Sequence, residues 1–138
     1  MQLDNRNKLQ GDTMSLKLVF KIFAGFGVFF AMSMLLAPDA MMASYGMTLS
    51  GDDSRLLVQF LFLIQLTFSI VVWQLPGWLG DDLAKAGPTF MVLPLLFVAM
   101  NIFHVITDVL PASGAQIMES AVWVVFAGLF YFYSKKPA

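Results

Sequence analysis

The polar side chains best placed to do chemistry lie near the end of an apolar stretch. Asn101, His104 and Asp108 are three and four residues apart, so they share one face if the stretch is helical. An imidazole can donate from one nitrogen while the other accepts or ligates, and an Asp one turn further on could hold its proton. Glu119 follows and adds a second carboxylate. Because polar side chains in apolar helices normally face other helices or a cavity, we expect these four residues to form a polar face.

Three hypotheses account for this polar face. The first is hydrogen bonding between helices, which needs only Asn101 and a partner such as Gln65. The second is cofactor binding, with His104 as an axial ligand to a chlorophyll or haem, and with Asn101 and Gln65 as further candidate ligands. The third is a proton or quinone site that uses His104, Asp108 and Glu119.

Other kinds of chemistry lack support in this sequence. One histidine and no cysteine supply too few nitrogen or sulfur ligands for a metal site. There is no nucleophile motif, phosphate-binding loop, dinucleotide glycine pattern or metalloprotease helix. A net charge of −1 gives no basic field that would attract nucleic acid. We therefore expect a protein that is not an enzyme and does not bind nucleic acid.

The composition that surrounds these residues is typical of an integral membrane protein. Of 138 residues, 59% are hydrophobic and only 12% are charged, whereas soluble domains have about 45–50% and about 25%. Four apolar stretches have the roughly 20 residues that a helix needs to cross a bilayer. They cover residues 16–36, 56–75, 89–110 and 113–134, after a polar tail at 1–15. The sequence thus predicts an all-α fold, a single-domain membrane four-helix bundle over residues 1–138.

Proline and glycine predict where these spans begin and end. Pro76 and the following glycine should end the second span, Pro88 and the preceding glycine should open the third, and Pro111 should end it. Residues 38–45 are too few to span, and both a short helix at the membrane surface and an irregular loop fit them. Ala24, Gly27 and Ala31 form a small-residue face on the first span, either for close helix packing or by chance.

The distribution of basic residues predicts the orientation. With four spans, the two tails and the second loop lie on one side and hold seven of the eight Lys and Arg residues. These seven are Arg6, Lys8, Lys17, Lys21, Lys85, Lys135 and Lys136. The opposite loops hold Arg55 with Asp39, Asp52 and Asp53. Because basic residues concentrate inside, both termini are predicted on the cytoplasmic, stromal or matrix side.

A short motif resembles a known family. The stretch 35–40, Leu-Leu-Ala-Pro-Asp-Ala, is followed by Tyr-Gly-Met at 45–47. Together with the length and four spans, it resembles small DoxX-like and related uncharacterised four-helix membrane proteins. In those proteins the first helix also ends in an apolar turn with proline, followed by glycine. The resemblance implies a four-helix membrane fold and carries no settled biochemistry with it.

The function that we predict from the sequence is that of a non-catalytic accessory subunit in a larger membrane complex. Apolar helices with 14 Phe suit contact with lipid, pigments and other integral membrane subunits. A chlorophyll-containing photosynthetic complex is the specific hypothesis, with chlorophyll or carotenoid and bound lipid as candidate cofactors. A thylakoid or bacterial inner membrane would be the location. The alternative is a small transporter or redox-linked membrane protein that uses the Asn101, His104 and Asp108 face, and a water-filled cavity reaching that face would favour it.

Overall fold

The structure, a computed structural model, describes residues 15–135, and this part of the chain is helical without a β-strand. Its α-helices are α1 (Leu16–Leu36), α2 (Pro38–Ser44), α3 (Asp52–Leu79), α4 (Leu83–Ile106) and α5 (Gly114–Ser134), and a 3₁₀ turn at Gly80–Asp82 joins α3 to α4. The predicted polar tail lies outside the described residues except for Ser15, whose hydroxyl oxygen accepts from the Leu18 N–H and caps α1. The all-α prediction is confirmed for the described range.

Three helical stretches among residues 15–135 are long and apolar enough to cross a membrane. They are α1, the 55 residues Asp52–Ile106 that contain α3 and α4, and α5. Within the 55-residue stretch, α3 has 28 residues and α4 has 24, so each exceeds the roughly 20 residues that one crossing needs. The membrane-spanning character predicted from composition is confirmed at this level.

The ends of α1 coincide with the predicted bounds, but those of α3 and α4 do not. Pro76 lies inside α3, and Pro88 lies inside α4 with Pro94, so the first two do not mark helix ends. Apolar helices tolerate proline because neighbouring groups satisfy the carbonyl that loses its N–H partner. The break falls instead at Gly80, whose φ of +51° suits a glycine and whose N–H donates to the Pro76 carbonyl.

The C-terminal end of α4 also differs from the prediction. The helix ends at Ile106, four residues before the predicted Leu110. Asp108 follows in a left-handed turn with a φ of +54°. The N–H groups of Val109 and Leu110 both donate back to the His104 carbonyl, which closes this turn. Asp108 is therefore not one helical turn beyond His104, as the sequence spacing predicted.

Contacts along α1 and α3 show that these two helices run antiparallel. α1 packs mainly on α3, as α4 does on α5. The Lys21 ammonium lies 5.5 Å from the centre of the Trp73 ring. Further along α1, the Phe30 ring lies 5.7 Å from that of Phe62, which precedes Trp73 on α3. The order of contacts is thus reversed between the two helices.

Aromatic rings join α1 to α4 and α5 near residues 15 and 135, at what we call the core end. The Phe20 ring lies 4.7 Å from Phe90 of α4 and 4.9 Å from Phe130 of α5, both edge-on. Phe23 lies 5.1 Å from Phe126 of α5. Edge-to-face rings at these separations add to the stability gained from burial alone. The core end is therefore closed by packing.

The α1–α3 connection, residues 37–51, lies at the opposite end. It contains α2, so of the two alternatives for this segment the helix is correct. Arg55 of α3 donates to both carboxylate oxygens of Asp39 and to Asp52, which holds α2 near the start of α3. At Gly46, with a φ of +75°, a Cβ would lie 3.1 Å from Cγ of Pro111. The α1–α3 connection thus reaches the segment between α4 and α5.

The small-residue face of α1 is buried, and Gly27 makes its closest approach to α3. Ala24 and Ala31 are 1% and 0% exposed. A Cβ at Gly27 would overlap the Ser69 hydroxyl oxygen and lie 3.3 Å from Nε2 of Gln65. Glycine at this position therefore permits the α1–α3 distance seen here.

We predict that Gly27→Ala destabilises the protein by about 1–3 kcal/mol, because the added methyl group overpacks this interface. Ser69→Ala in the same chain should restore part of the loss by removing the overlapping oxygen. The free energy of unfolding is measured by SDS titration in mixed micelles. Gly128→Ala on α5 is the control, because nothing lies within 4 Å of a Cβ there. Equal effects of the two glycine substitutions would contradict the prediction.

Candidate functional site

A cavity of about 230 Å³ lies between the helices at the end opposite the core end. Its apolar wall comes from all four long helices and from the α1–α3 connection. The aromatic residues of that wall are Phe30 of α1, Phe62 of α3, Phe97 of α4 and Trp123 of α5. Phe97 stacks on Trp123 with ring centres 5.1 Å apart. The cavity is partly open to its surroundings.

The same cavity is lined by polar side chains from four parts of the chain. They are Tyr45 of the α1–α3 connection, Gln65 of α3, Asn101 and His104 of α4, and Gln116 and Glu119 of α5. Four of the six are residues that the sequence analysis singled out. The helical spacing that grouped Asn101 with His104 places both on the cavity wall.

Asp108, the remaining member of the predicted polar face, is not on the cavity wall. Its left-handed backbone follows the end of α4, and its side chain is exposed. The helical spacing on which the predicted interaction of His104 with Asp108 depends is absent, because α4 ends at Ile106. The carboxylate that shares the cavity with His104 is Glu119.

Asn101 forms a hydrogen bond between helices, but its partner differs from the one predicted. Its Nδ2 donates to the Ser120 hydroxyl oxygen on α5 at 3.0 Å. The predicted partner, Gln65, lines another part of the cavity wall and is near Gly27. Asn101 thus links α4 to α5 while it also faces the cavity.

Gln116 is a site residue that the sequence analysis missed. Its side chain is 3% exposed, and Nε2 donates to the Asn101 backbone carbonyl at 3.5 Å. Only the nitrogen of a side-chain amide can donate to a carbonyl. This contact therefore identifies which of the two amide atoms of Gln116 is Nε2 and which is Oε1. Oε1 is buried and has no hydrogen-bond partner within the described part of the chain. A buried acceptor without a partner costs free energy and is a reason to look for a bound donor.

Glu119 interacts with two other side chains of the cavity wall. Nε1 of Trp123 donates to its Oε1 at 3.0 Å across one turn of α5. Tyr45, from the α1–α3 connection, lies near the same carboxylate. Burial, and then the proximity of Glu119, raise the pKa of Tyr45 well above its ordinary value. Tyr45 therefore brings the α1–α3 connection close to α5.

Of the two missed residues, Gln116 has a weak signal in the sequence and Tyr45 has none. Gln116 precedes Glu119 by three residues, so a helical α5 places both on one face. Tyr45 precedes a glycine in a short connection, and nothing in the sequence pairs it with a residue 74 positions away. Among residues 15–135, no group of three His, Asp or Glu side chains is arranged to hold a metal ion.

The arrangement can bind a small molecule that has an apolar body and a polar end. The aromatic and methionine side chains supply the apolar contact, while amide, imidazole and carboxylate groups lie on the same cavity wall. Few polar groups on a mostly apolar wall are the usual features of a small-molecule site.

We predict that Asn101→Leu lowers the free energy of unfolding by about 0.6–2 kcal/mol, because it removes a hydrogen bond between helices in an apolar environment. Ser120→Ala should have a similar effect. If the two side chains act through their mutual bond, the double substitution costs less than the sum of the single ones. SDS titration of all four proteins gives the coupling. Simple additivity would show that Asn101 stabilises the protein by another contact.

The raised pKa of Tyr45 predicts a dependence of stability on pH. The folded state holds the phenolic proton more tightly than the unfolded state, whose tyrosine titrates near 10. The stabilisation is therefore complete below pH 10 and decreases as the pH rises through the folded-state pKa. The difference in absorbance at 295 nm between the wild type and Tyr45→Phe reports the ionisation of Tyr45. This ionisation should occur at a higher pH than that of free tyrosine.

Glu119→Gln separates the causes of this shift. It removes the charge, so the ionisation of Tyr45 should move to lower pH. Burial, the largest cause, remains, and the pKa should stay above the ordinary value. Ionisation of Tyr45 at the pH of free tyrosine in the otherwise wild-type chain would show that the phenol is exposed.

Comparison with known proteins adds no assignment: no family model, curated protein or solved structure matches this chain. The resemblance to DoxX-like proteins stays a prediction.

Proposed function

We propose that this protein is a small transporter that spans the membrane and takes a small amphipathic molecule into the cavity. The observation that supports the proposal most is the position of Gln65, Asn101, His104 and Glu119 on one partly open cavity wall. In a membrane, polar side chains that face a shared cavity commonly mark a substrate or ion pathway. The protein does no covalent chemistry in this proposal.

In the proposed arrangement, α1, α3, α4 and α5 form a four-helix bundle across the bilayer. Lys17, Lys21, Lys85 and Lys135 belong to the core end, which is the cytoplasmic side by the distribution of basic residues. Arg55 with Asp39 and Asp52 belongs to the other side, together with the α1–α3 connection and the cavity. A bacterial inner membrane is the location that we propose.

The packing of the helices supports entry of ligand from the lipid. α3 and α4 follow one another in the chain but make little contact with each other. Both contribute to the cavity wall, α3 through Phe62 and Gln65 and α4 through Phe97. An apolar molecule dissolved in the bilayer can therefore approach the cavity between these two helices.

The size of the cavity limits the ligand. An engineered cavity of about 150 Å³ holds benzene, so 230 Å³ suits a molecule with one or two rings. A chlorophyll or haem ring is larger than this, so ligation by His104 would place most of such a ring outside the cavity. The hypothesis of an accessory subunit in a photosynthetic complex, with pigment or lipid bound outside, stays a prediction.

We predict that the purified protein binds isobutylbenzene in the cavity and that Gln65→Phe abolishes this binding, because the larger ring fills the space. Binding is measured by the fluorescence of Trp123 in a Trp73→Phe, Trp78→Phe background. Gln74→Phe is the matched control, since Gln74 is an exposed residue on the same helix and is not on the cavity wall.

Two results would contradict the proposal. One is a wild-type signal that never saturates, which would indicate partition into detergent alone. The other is equal binding by both Gln→Phe variants, which would place the binding outside the cavity. The melting temperature of each variant without ligand shows whether it is folded.

A further inference from the structure

The electrostatic character of the cavity favours a cation. Glu119 is the one carboxylate on the wall, and within the described range neither Lys nor Arg reaches it. The other titratable side chains there are His104 of α4 and Tyr45 of the α1–α3 connection, while α1 and α3 add only apolar groups and Gln65. The phenol of Tyr45 is held neutral by burial and by Glu119, which raise its pKa. An anion would have nothing but the imidazole to offset the repulsion of Glu119.

Glu119 has capacity for a further donor. Trp123 donates one hydrogen bond to it, and Tyr45 lies near it. An ionised carboxylate has about four lone-pair sites in two oxygens. An ionised carboxylate attracts a cation whether or not the cation carries an N–H group. A cation in the cavity would therefore bind more strongly here than a neutral molecule.

Aromatic rings surround the same space. Phe30, Phe62, Phe97 and Trp123 contribute to the wall, with Trp123 also hydrogen-bonded to Glu119. The faces of aromatic rings attract cations, and sites for amine ligands commonly combine such rings with a carboxylate. The rings also supply the apolar contact that the body of an aromatic ligand requires.

A separate observation concerns the type of cation. Oε1 of Gln116 is a buried acceptor without a partner, and it lies three residues before Glu119 on the same helix. The Gln116 side chain belongs to the cavity wall, so a rotation of the amide that turns Oε1 toward the cavity would let a bound donor satisfy it. An amine that is protonated on nitrogen has such an N–H, whereas a quaternary ammonium ion has none.

We propose that the ligand is a lipophilic aromatic amine in its protonated form, which binds with its N–H⁺ group between Glu119 and Gln116 and its ring among the aromatic side chains. This inference rests on the proposed binding function and adds the charge and the donor to it. In the site, Glu119 recognises the positive charge and Gln116 recognises the N–H.

Three probes of similar shape separate these contributions. N,N-dimethylbenzylamine is protonated at pH 7 and has one N–H. Benzyltrimethylammonium has the charge but no N–H, and isobutylbenzene is a neutral isostere of the amine. Affinities are measured by Trp123 fluorescence in the Trp73→Phe, Trp78→Phe background. Each affinity is compared between variants for the same probe, so that partition of the probe into detergent cancels.

Glu119→Gln tests the charge, because it keeps the shape and an acceptor oxygen. We expect it to lower the affinity for both cations by about ten-fold or more, since a charge-assisted hydrogen bond or ion pair is lost. The affinity for isobutylbenzene should change by less than about two-fold, because apolar contacts remain. The neutral probe also reports whether the cavity of the variant is intact.

Gln116→Met tests the donor. We expect it to lower the affinity for N,N-dimethylbenzylamine by about five-fold or more, because this amine donates to Oε1. The affinity for benzyltrimethylammonium, which has no N–H, should fall by less. Gln59→Met is the matched control, since Gln59 of α3 is not on the cavity wall. It should leave the affinities for all three probes unchanged.

The outcomes separate the two proposals. If all three probes bind and Glu119→Gln weakens them equally, or weakens none, the inference of a cationic ligand is wrong while the cavity still binds small molecules. If Gln116→Met lowers the affinity for both cations equally, the inference that an N–H group of the ligand donates to Gln116 is wrong. If none of the probes gives saturable binding to the wild type, the proposed function fails together with the inference.

Discussion

The packing of α1 against α4 and α5 through phenylalanine rings is the interaction on which the rest of the structure depends. Phe20 and Phe23 each contact rings from both of these helices at the core end. α3 is held by α1 and makes little contact with α4. At the core end these rings pack against one another. At the opposite end Phe30, Phe62 and Phe97 line the cavity together with polar side chains.

Polar groups in an apolar surrounding must be paired, and most of those around the cavity are. Asn101 has Ser120 as a partner, and Glu119 has Trp123 and Tyr45. The unpaired Oε1 of Gln116 is the exception among the buried side-chain atoms of the described residues. Within the described residues, this acceptor on a residue of the cavity wall is therefore where a donor from outside the chain would be stabilised.

The sequence predicts the elements of this fold better than it predicts the site. Apolar length alone places α1 within its observed bounds, because a stretch of 21 mostly apolar residues has few alternatives. Proline misleads at Pro76 and Pro88, since its local preference to end helices is overridden where the helix is packed and apolar. Spacing groups Asn101 with His104 correctly but includes Asp108, because the pattern assumes a helix that in fact ends two residues earlier. Gln116 and Tyr45 become site residues only through packing between distant segments, which spacing along one helix does not contain.

The interaction between Tyr45 and Glu119 has a thermodynamic consequence. Tyr45 belongs to the α1–α3 connection, whereas Glu119 belongs to α5, so this interaction joins a short surface segment to the interior of the helices. A molecule that binds the Glu119 carboxylate shares this group with Tyr45. Binding in the cavity and the attachment of the surface segment are then linked equilibria, and the linkage is reciprocal. If binding in the cavity changes the equilibrium between attached and detached forms of the α1–α3 connection by some factor, detachment of this connection must change the affinity of the cavity by the same factor.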